Sequence, residues 1–247
     1  MIVSKRIRHL LRLSASGIDR PLIPSLIKEG MGVVERPSPK ILYNFSIIIL
    51  LFNTGLLIAQ QDFFYVPKNI KKPAPALIIT SCTGATKKDL DSNQAIADKL
   101  GWIICTSAKT KNHRDTWQND RDIMETYRNL TINYPVDTSR VFIYGFSGQA
   151  VQAMMEVFLH PGIFKGAVCI CAHDGALGLA KWELIKEHYF YLITRENNWN
   201  LEANKRLHRA FNLQGIADTM IVTKGRHGPK TSQELLEGCR WLYKMVR

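Results

Sequence analysis

From residue 62 onward, short apolar runs alternate with segments in which apolar residues recur at helical spacing. The apolar runs are rich in β-branched and aromatic residues, which favour strands. The predicted strands lie at 63–66, 76–80, 102–106, 141–144, 164–171, 189–194 and 219–222, and the predicted helices at 90–100, 115–134, 148–159, 201–213 and 231–245. Near-continuous apolar strands separated by helices predict an α/β fold, in which a mostly parallel sheet carries helices on both faces.

The first 60 residues differ in composition and predict a leader ahead of one globular domain at 61–247. Residues 41–59 contain no charged side chain and follow Arg36 and Lys40, which is the pattern of a secretory signal peptide. These 19 residues are also nearly long enough to span a bilayer, so an uncleaved membrane anchor is the alternative. The first interpretation predicts a secreted or periplasmic domain, and the second predicts an anchored domain that faces away from the cytoplasm.

Residues 1–30 lie before the basic end of this leader, although a signal peptide normally begins within a few residues of that end. Translation from Met31 would give a leader of ordinary length, and our hypothesis is that translation begins there and that residues 1–30 are not made. If residues 1–30 are made, their prolines and arginines predict a poorly ordered arm.

Charge and cysteine content narrow the possible functions. The formal net charge is +12, and residues 1–60 contribute +5 of it, from 8 Lys or Arg against 3 Asp or Glu. The remaining charge is scattered without a dense basic run or a nucleic-acid-binding pattern, so we expect no nucleic acid as a partner. The five cysteines show no metal-ligand spacing and define no disulfide; most lie in or beside apolar runs and are expected to be buried thiols.

Residues 141–150 contain the candidate catalytic chemistry. An apolar run leads into Gly-Phe-Ser-Gly at 145–148, and a second apolar stretch with helical spacing follows. A strand, a tight turn and a helix with a serine at the apex form the setting that a nucleophile elbow requires. Glycines on both sides of Ser147 leave room for the sharp turn, whereas Gln149 stands where the pattern G-x-S-x-G has its last glycine. The alternative is an ordinary strand-to-helix turn with Ser147 as the N-cap.

The chain resembles the α/β-hydrolases, and in particular the small extracellular carboxylesterases related to polyhydroxybutyrate depolymerases and feruloyl esterases. The resemblance covers about residues 62–247. It rests on SCTG at 81–84, VDTSRVFIYGFSGQA at 136–150, RENNWN at 195–200 and GRHG at 225–228. It implies an α/β-hydrolase fold and hydrolysis of carboxylic esters through an acyl-enzyme, with no metal ion or organic cofactor.

The resemblance also implies roles for individual residues. Ser147 would be the nucleophile, and His227 would be its base, because it follows the last predicted strand. His173 is the only other histidine that lies just after a predicted strand. Backbone N–H groups of Gly148 and Cys82 would form the oxyanion hole, the first from the residue after the nucleophile and the second from the loop at 81–84.

The acid position departs from the family pattern. The resemblance implies an aspartate after the strand at 189–194, and Asn198 stands in its place. An asparagine accepts the imidazole N–H but brings no negative charge. Three possibilities follow: Asn198 orients the histidine in a slower enzyme, Glu196 or Asp174 supplies the charge from a shifted position, or most of the activity is lost.

The polar segment at residues 111–120 follows a predicted strand and contains Trp117. It is interpreted either as a pocket rim that contacts an aromatic or polymeric ester or as a solvated loop. The expected partner is therefore a small-molecule or polymeric ester substrate.

Two other functions fit the same fold. One is a peptidase, which the sequence does not distinguish from an esterase. The other is a weakened or non-catalytic relative that uses the pocket for binding. The departures from the family motifs favour this second alternative: Asn198, Gln149 and the pair Thr80-Ser81. Retention of Ser147, His227 and Gly148 together opposes it.

Overall fold

The structure is a computed structural model that describes residues 61–246. The predicted signal peptide or membrane anchor at 41–59, the arm that precedes it and the alternative start at Met31 lie outside this range. Among the described residues, no helix combines the length and the apolar character that crossing a membrane requires.

A seven-stranded sheet forms the centre of the domain. Its strands are β1 (Phe64–Tyr65), β2 (Ala74–Ile79), β3 (Ile103–Thr106), β4 (Val136–Phe146), β5 (Phe164–Ile170), β6 (Tyr189–Asn197) and β7 (Ala217–Arg226). Their spatial order is β1-β3-β2-β4-β5-β6-β7. The short β1 pairs antiparallel with β3, and every other pair in the sheet is parallel. The predicted α/β class with a mostly parallel sheet is confirmed.

In residues 61–246, five α-helices lie between strands and a sixth follows β7: α1 (Lys87–Asp91), α2 (Gln94–Leu100), α3 (Thr116–Asn133), α4 (Gly148–Leu159), α5 (Leu201–Leu213) and α6 (Ser232–Met245). Two short 3-10 helices, Asp174–Leu179 and Trp182–Leu184, lie between β5 and β6.

The prediction of one continuous helix at 90–100 is wrong, because the chain breaks between α1 and α2. The side chains of Ser92 and Asn93 donate hydrogen bonds to the Asp89 carbonyl, at 2.9 Å and 2.6 Å respectively. Short polar side chains that bind helix carbonyls in this way compete with the continuing helix, and the second helix therefore restarts after Asn93.

Hydrophobic clusters cover both faces of the sheet. On one face, Phe211 from α5 stacks on Phe190 of β6 with ring centroids 4.5 Å apart. On the other face, Trp102 stacks on Phe142 of β4 at 5.0 Å. The five cysteines are unpaired, and all except the partly buried Cys82 are buried, as the sequence predicted.

Candidate active site

Ser147 lies at the sharp turn between β4 and α4, with a backbone φ of +56° and ψ of −124°. This conformation is unfavourable for a residue with a side chain and is typical of a strained functional turn. Its N–H donates to the Ile170 carbonyl at 2.8 Å, which fixes the turn to the neighbouring strand β5. A Cβ atom at Gly145 would lie 2.0 Å from the Gln149 carbonyl oxygen, so only glycine fits there. The turn therefore has the geometry of a nucleophile elbow.

His227 directly follows β7 and reaches Ser147 across the end of the sheet. Its Nε2 lies 3.0 Å from Ser147 Oγ. The imidazole ring contacts the rings of Phe146 and Trp199, with centroid distances of 5.0 Å and 5.3 Å. Burial lowers the pKa of His227 below its ordinary value, because desolvation penalises the imidazolium. The histidine is therefore favoured in the neutral form that accepts a proton.

Asn198 follows β6 and completes a line of hydrogen bonds. Its Oδ1 lies 2.9 Å from His227 Nδ1, and its Nδ2 donates to Thr194 Oγ1 at 2.9 Å. The Asn200 backbone N–H, which can only donate, points at the same Oδ1 from 3.4 Å. These contacts orient the amide so that its oxygen faces His227. Asn198 is only 6% exposed, which keeps water from competing for this hydrogen bond.

The two carboxylates considered for the acid position lie elsewhere. Glu196 is exposed on β6. Asp174 accepts hydrogen bonds from Arg206, at 2.6 Å to Nε and 3.3 Å to Nη2. Among the described residues, Asn198 Oδ1 and Ser147 Oγ are the side-chain atoms that hydrogen-bond to the ring of His227.

The loop after β2 lies against the elbow. The Cys82 thiol donates to the Phe146 carbonyl at 3.1 Å, and the Cys82 carbonyl accepts from the Asn112 N–H at 2.9 Å. Gly148 is the first residue of α4, and the N–H groups of a helix's first turn have no partner within the helix. Burial raises the pKa of the Cys82 thiol, which keeps it protonated and opposes a role as a nucleophile.

Arg195 anchors the loop that carries His227, and sequence analysis missed this. Its guanidinium pairs with Glu234 on α6, with Nη1 and Oε1 2.6 Å apart. The same group donates to the Pro229 carbonyl at 2.9 Å and to Thr223 Oγ1 at 2.6 Å. The loop between β7 and α6 is therefore attached to the end of β6. Nothing in the sequence spacing marks this contact.

A cavity of about 340 Å³ opens beside Ser147. It is lined by polar and basic side chains with one large aromatic ring: Lys111, Asn112, His113, Arg114, Thr116, Asn119, Ser147, Gly148, Gln149, Gln152, His173 and Trp199. No Asp or Glu is among these lining residues. The segment 111–120 therefore forms one wall, as the pocket-rim interpretation predicted, although Trp117 is not part of the lining.

Two candidates from the sequence occupy this pocket without joining the hydrogen-bonded line. His173 accepts a hydrogen bond from the Gly175 N–H through Nδ1 at 3.0 Å. Gln149 is almost fully buried, and its Nε2 lies 3.4 Å from Asn112 Oδ1. Its Oε1 has no protein partner. The large residue at the last position of the G-x-S-x-G pattern thus packs between the elbow helix and the rim.

The strand order, the elbow after β4 and the histidine after β7 define an α/β-hydrolase fold. A carboxylesterase of Bacillus cereus has a TM-score of 0.60 at 16% identity, over 79% of this chain and 98% of that one. The fluorophosphonate-binding serine hydrolase F of Staphylococcus aureus gives 0.58 at 11%, over 76% and 92%. A ferulic acid esterase gives 0.58 at 14%, over 74% and 92%.

No protein-family profile and no curated protein sequence matches this chain. The similarity to esterases and serine hydrolases is therefore detected by comparison of structures and not by comparison of whole sequences. The α/β-hydrolase resemblance that the short motifs predicted is confirmed at the level of the fold.

Proposed function

We propose that the protein is a serine hydrolase that cleaves carboxylic esters through an acyl-enzyme. The observation that carries the proposal is the continuous line of hydrogen bonds from Ser147 Oγ through His227 to Asn198 Oδ1. A serine hydroxyl is a weak nucleophile near neutral pH and needs a base within hydrogen-bond distance. Here the base lies within that distance and is held by a third residue.

In the proposed reaction, Ser147 Oγ bonds to the ester carbonyl carbon while His227 Nε2 takes the hydroxyl proton. The carbonyl oxygen becomes an oxyanion, to which the N–H groups of Gly148 and Cys82 donate. The tetrahedral intermediate collapses when His227 returns the proton to the leaving alcohol, and an acyl-serine remains. Water then attacks the acyl-serine by the same steps in reverse, which releases the acid and restores Ser147.

The neutral Asn198 makes this a slower enzyme than one with a carboxylate in its place. When His227 accepts the proton, the Asn198 amide dipole stabilises the imidazolium, but no opposite charge does so. In a serine triad, replacement of the aspartate by asparagine lowers kcat by about 10⁴ when the wrong imidazole tautomer is held. In this chain the amide oxygen faces Nδ1, so the productive tautomer is retained. The rate loss is then limited to the part caused by the absent negative charge.

The pocket lining supports an ester with a polar group on its alcohol or acyl part. Amides, hydroxyls and basic groups dominate the wall, and the exposed Trp199 offers an aromatic face. A hydroxyl-rich or anionic substrate would be matched by these donors, whereas a long alkyl chain would leave them unpaired. We therefore propose short-chain or aromatic acyl esters of polar alcohols as substrates, free or within a polymer.

A non-catalytic binding protein is the second candidate, and Asn198 is the observation that favours it. In that case the serine would be present but insufficiently activated. The pocket would then hold the ester without cleaving it.

Fluorophosphonate labelling of the purified protein separates these functions. We expect labelling in wild type, none in Ser147→Ala and a strong reduction in His227→Ala. His208→Ala is the matched control, because His208 contacts Asp218 at the opposite end of the strands and not the pocket. If folded wild type resists labelling, the esterase proposal fails and the binding protein takes its place.

We also propose that the domain acts outside the cytoplasm, on the strength of the uncharged segment 41–59 that follows Arg36 and Lys40. N-terminal sequencing of the native protein tests this. A mature terminus close to residue 60 supports export by a cleaved signal peptide. A native terminus at Met31 with membrane association supports the anchor, and a soluble cytoplasmic protein with the intact segment overturns both.

A further inference from the structure

A second cluster of ionisable side chains lies away from the serine, between α3 and the end of α4. It consists of Asp120, Glu156 and His160, and one donor atom from each lies within 4.8 Å of the others. His160 is the residue that ends α4, four residues after Glu156, and its Nε2 lies 3.8 Å from Glu156 Oε2. Asp120 faces them from α3, with its Oδ1 2.6 Å from His160 Nε2.

Glu156 is fully buried, and one of its carboxylate oxygens has no partner. Oε1 accepts a hydrogen bond from Gln152 Nε2 at 2.6 Å. Oε2 is buried without a hydrogen bond and points into the cluster, 3.8 Å from His160 Nε2. A buried carboxylate oxygen without a hydrogen-bond donor is unfavourable, so Glu156 Oε2 is available to bind a cation.

The charge of the cluster is also unbalanced. In the part of the chain that the structure describes, Asp120 and Glu156 form their only ion-pair contacts with His160. No Lys or Arg is among the groups that act on the charge of Glu156. Two carboxylates and one imidazole form a donor set that suits a divalent transition-metal ion.

We propose that Asp120, Glu156 and His160 bind a divalent transition-metal ion, with Zn²⁺ as the best match. Tetrahedral zinc with bonds near 2.1 Å holds its donor atoms about 3.4 Å apart. The distances from His160 Nε2 to Asp120 Oδ1, 2.6 Å, and to Glu156 Oε2, 3.8 Å, lie on either side of this value. Small side-chain movements therefore bring His160 Nε2 into a common coordination shell with Asp120 Oδ1 and Glu156 Oε2.

The surroundings suit such an ion. Asp120 and His160 are partly exposed, which gives a cation access from solvent. Gln152 holds the second oxygen of Glu156 and orients the carboxylate. The ion would join α3 to the elbow helix α4, and Gln152 also lines the pocket beside Ser147. Its role is structural, and ester hydrolysis does not pass through it.

Zinc binding to the full-length protein tests the proposal. The protein is stripped with EDTA and titrated with Zn²⁺ by calorimetry, and bound zinc is counted by elemental analysis. We expect Asp120→Asn and His160→Gln each to bind one zinc fewer per chain than wild type. Both variants should also lose the rise in melting temperature that zinc gives wild type.

Two controls keep the outcome decisive. Glu202→Gln removes a carboxylate from an exposed pair with Lys205, and it should bind zinc as wild type does. Ser147→Ala should also keep the zinc, which separates this proposal from the esterase proposal. In wild type itself, Co²⁺ should give the visible spectrum of a tetrahedral site, a readout that needs no variant.

Equal zinc content in wild type and His160→Gln would overturn the proposal, as would a wild type that binds no zinc. A proton would then be the occupant, because burial raises the pKa of Glu156 well above its ordinary value.

Discussion

Asn198 presents its amide oxygen, not its amide nitrogen, to His227 Nδ1, at a distance of 2.9 Å. Thr194 accepts the amide N–H, and the Asn200 backbone N–H approaches the oxygen from 3.4 Å. The imidazole is therefore held with its proton on Nδ1 and its lone pair on Nε2, facing Ser147. The site retains the orientation that a carboxylate gives and lacks only the charge.

We expect Asn198→Asp to raise kcat by roughly 10- to 100-fold, because the added charge stabilises the imidazolium that forms during the reaction. The Thr194 hydroxyl can turn to donate to the new carboxylate. The measurement is kcat with a short-chain ester, together with the rate of fluorophosphonate labelling.

Asn198→Leu is the matched variant for this experiment, because it keeps the volume and removes the acceptor. We expect it to lower kcat below wild type by about tenfold or more. A series in which aspartate, asparagine and leucine give the same rate would show that position 198 does not orient His227.

The pH dependence of kcat/KM follows from the protonation of His227. The base must be neutral, so activity rises with pH through the pKa of His227 in the free enzyme. Burial lowers that pKa, which places the half-maximal point on the acidic side of an ordinary histidine. In Asn198→Asp the carboxylate stabilises the imidazolium and raises the pKa, so the acidic limb should move to higher pH. Profiles measured side by side test this, and a shift to lower pH would contradict it.

Gly145→Ala should destroy the elbow. The added Cβ would lie 2.0 Å from the backbone oxygen of Gln149, which is fixed within α4 and has little freedom to move. We expect a loss of about 3 kcal/mol of stability or more, and loss of labelling at Ser147. Gly162→Ala is the control, because its Cβ would meet no atom within 4 Å. Similar melting temperatures for the two variants would refute this account of the turn.

Arg195→Leu should weaken both stability and activity. It leaves the partly buried Glu234 without its ion pair and frees the Pro229 carbonyl, so we expect a loss of about 2 to 4 kcal/mol and a lower kcat. Lys87→Leu, which breaks an exposed pair with Asp91, should change either property little. Thermal unfolding and ester turnover measure both effects.

The stability lost in Arg195→Leu should itself depend on pH. Burial raises the pKa of Glu234, but the Thr231 backbone N–H and Arg195 outweigh burial and lower it. This carboxylate therefore stabilises the folded state above its ordinary pKa, and the contribution disappears as the pH falls through the lowered value. The difference between wild type and variant should shrink in acid, and a constant difference would argue against the pair as its source.

The sequence predicted the fold well because its signals are local. Each of the seven strands overlaps an apolar run in the sequence, and glycines around Ser147 mark the elbow within a few residues. Strand ends were harder: β4 starts at Val136 and β7 continues to Arg226, since pairing with a neighbour extends a strand into polar residues. The helix break at Asn93 was missed because a side chain there competes for the helix carbonyls.

Some residues of the candidate site were also predictable from the sequence, and others were not. Ser147, His227 and Asn198 follow from motifs placed at strand ends, and their positions in the structure are mutually consistent with that interpretation. No sequence motif identifies Arg195 or Gln152 as part of the site. Each acts through a contact with a distant segment, Glu234 for the first and the Thr116 carbonyl for the second, and periodicity says nothing about such pairs.

The attachment of the His227 loop to β6 has a mechanical consequence. Asn198 extends from the end of that strand, and Arg195 on the same strand grips the Pro229 carbonyl two residues beyond His227. Asn198 and His227, the two partners of the Nδ1 hydrogen bond, are therefore both attached to the end of β6 and move with it. The Arg195 contacts with Thr223 and Pro229 on either side of His227 oppose loosening of the edge strand β7 at this point. Heat inactivation should therefore coincide with cooperative melting of the whole domain instead of preceding it.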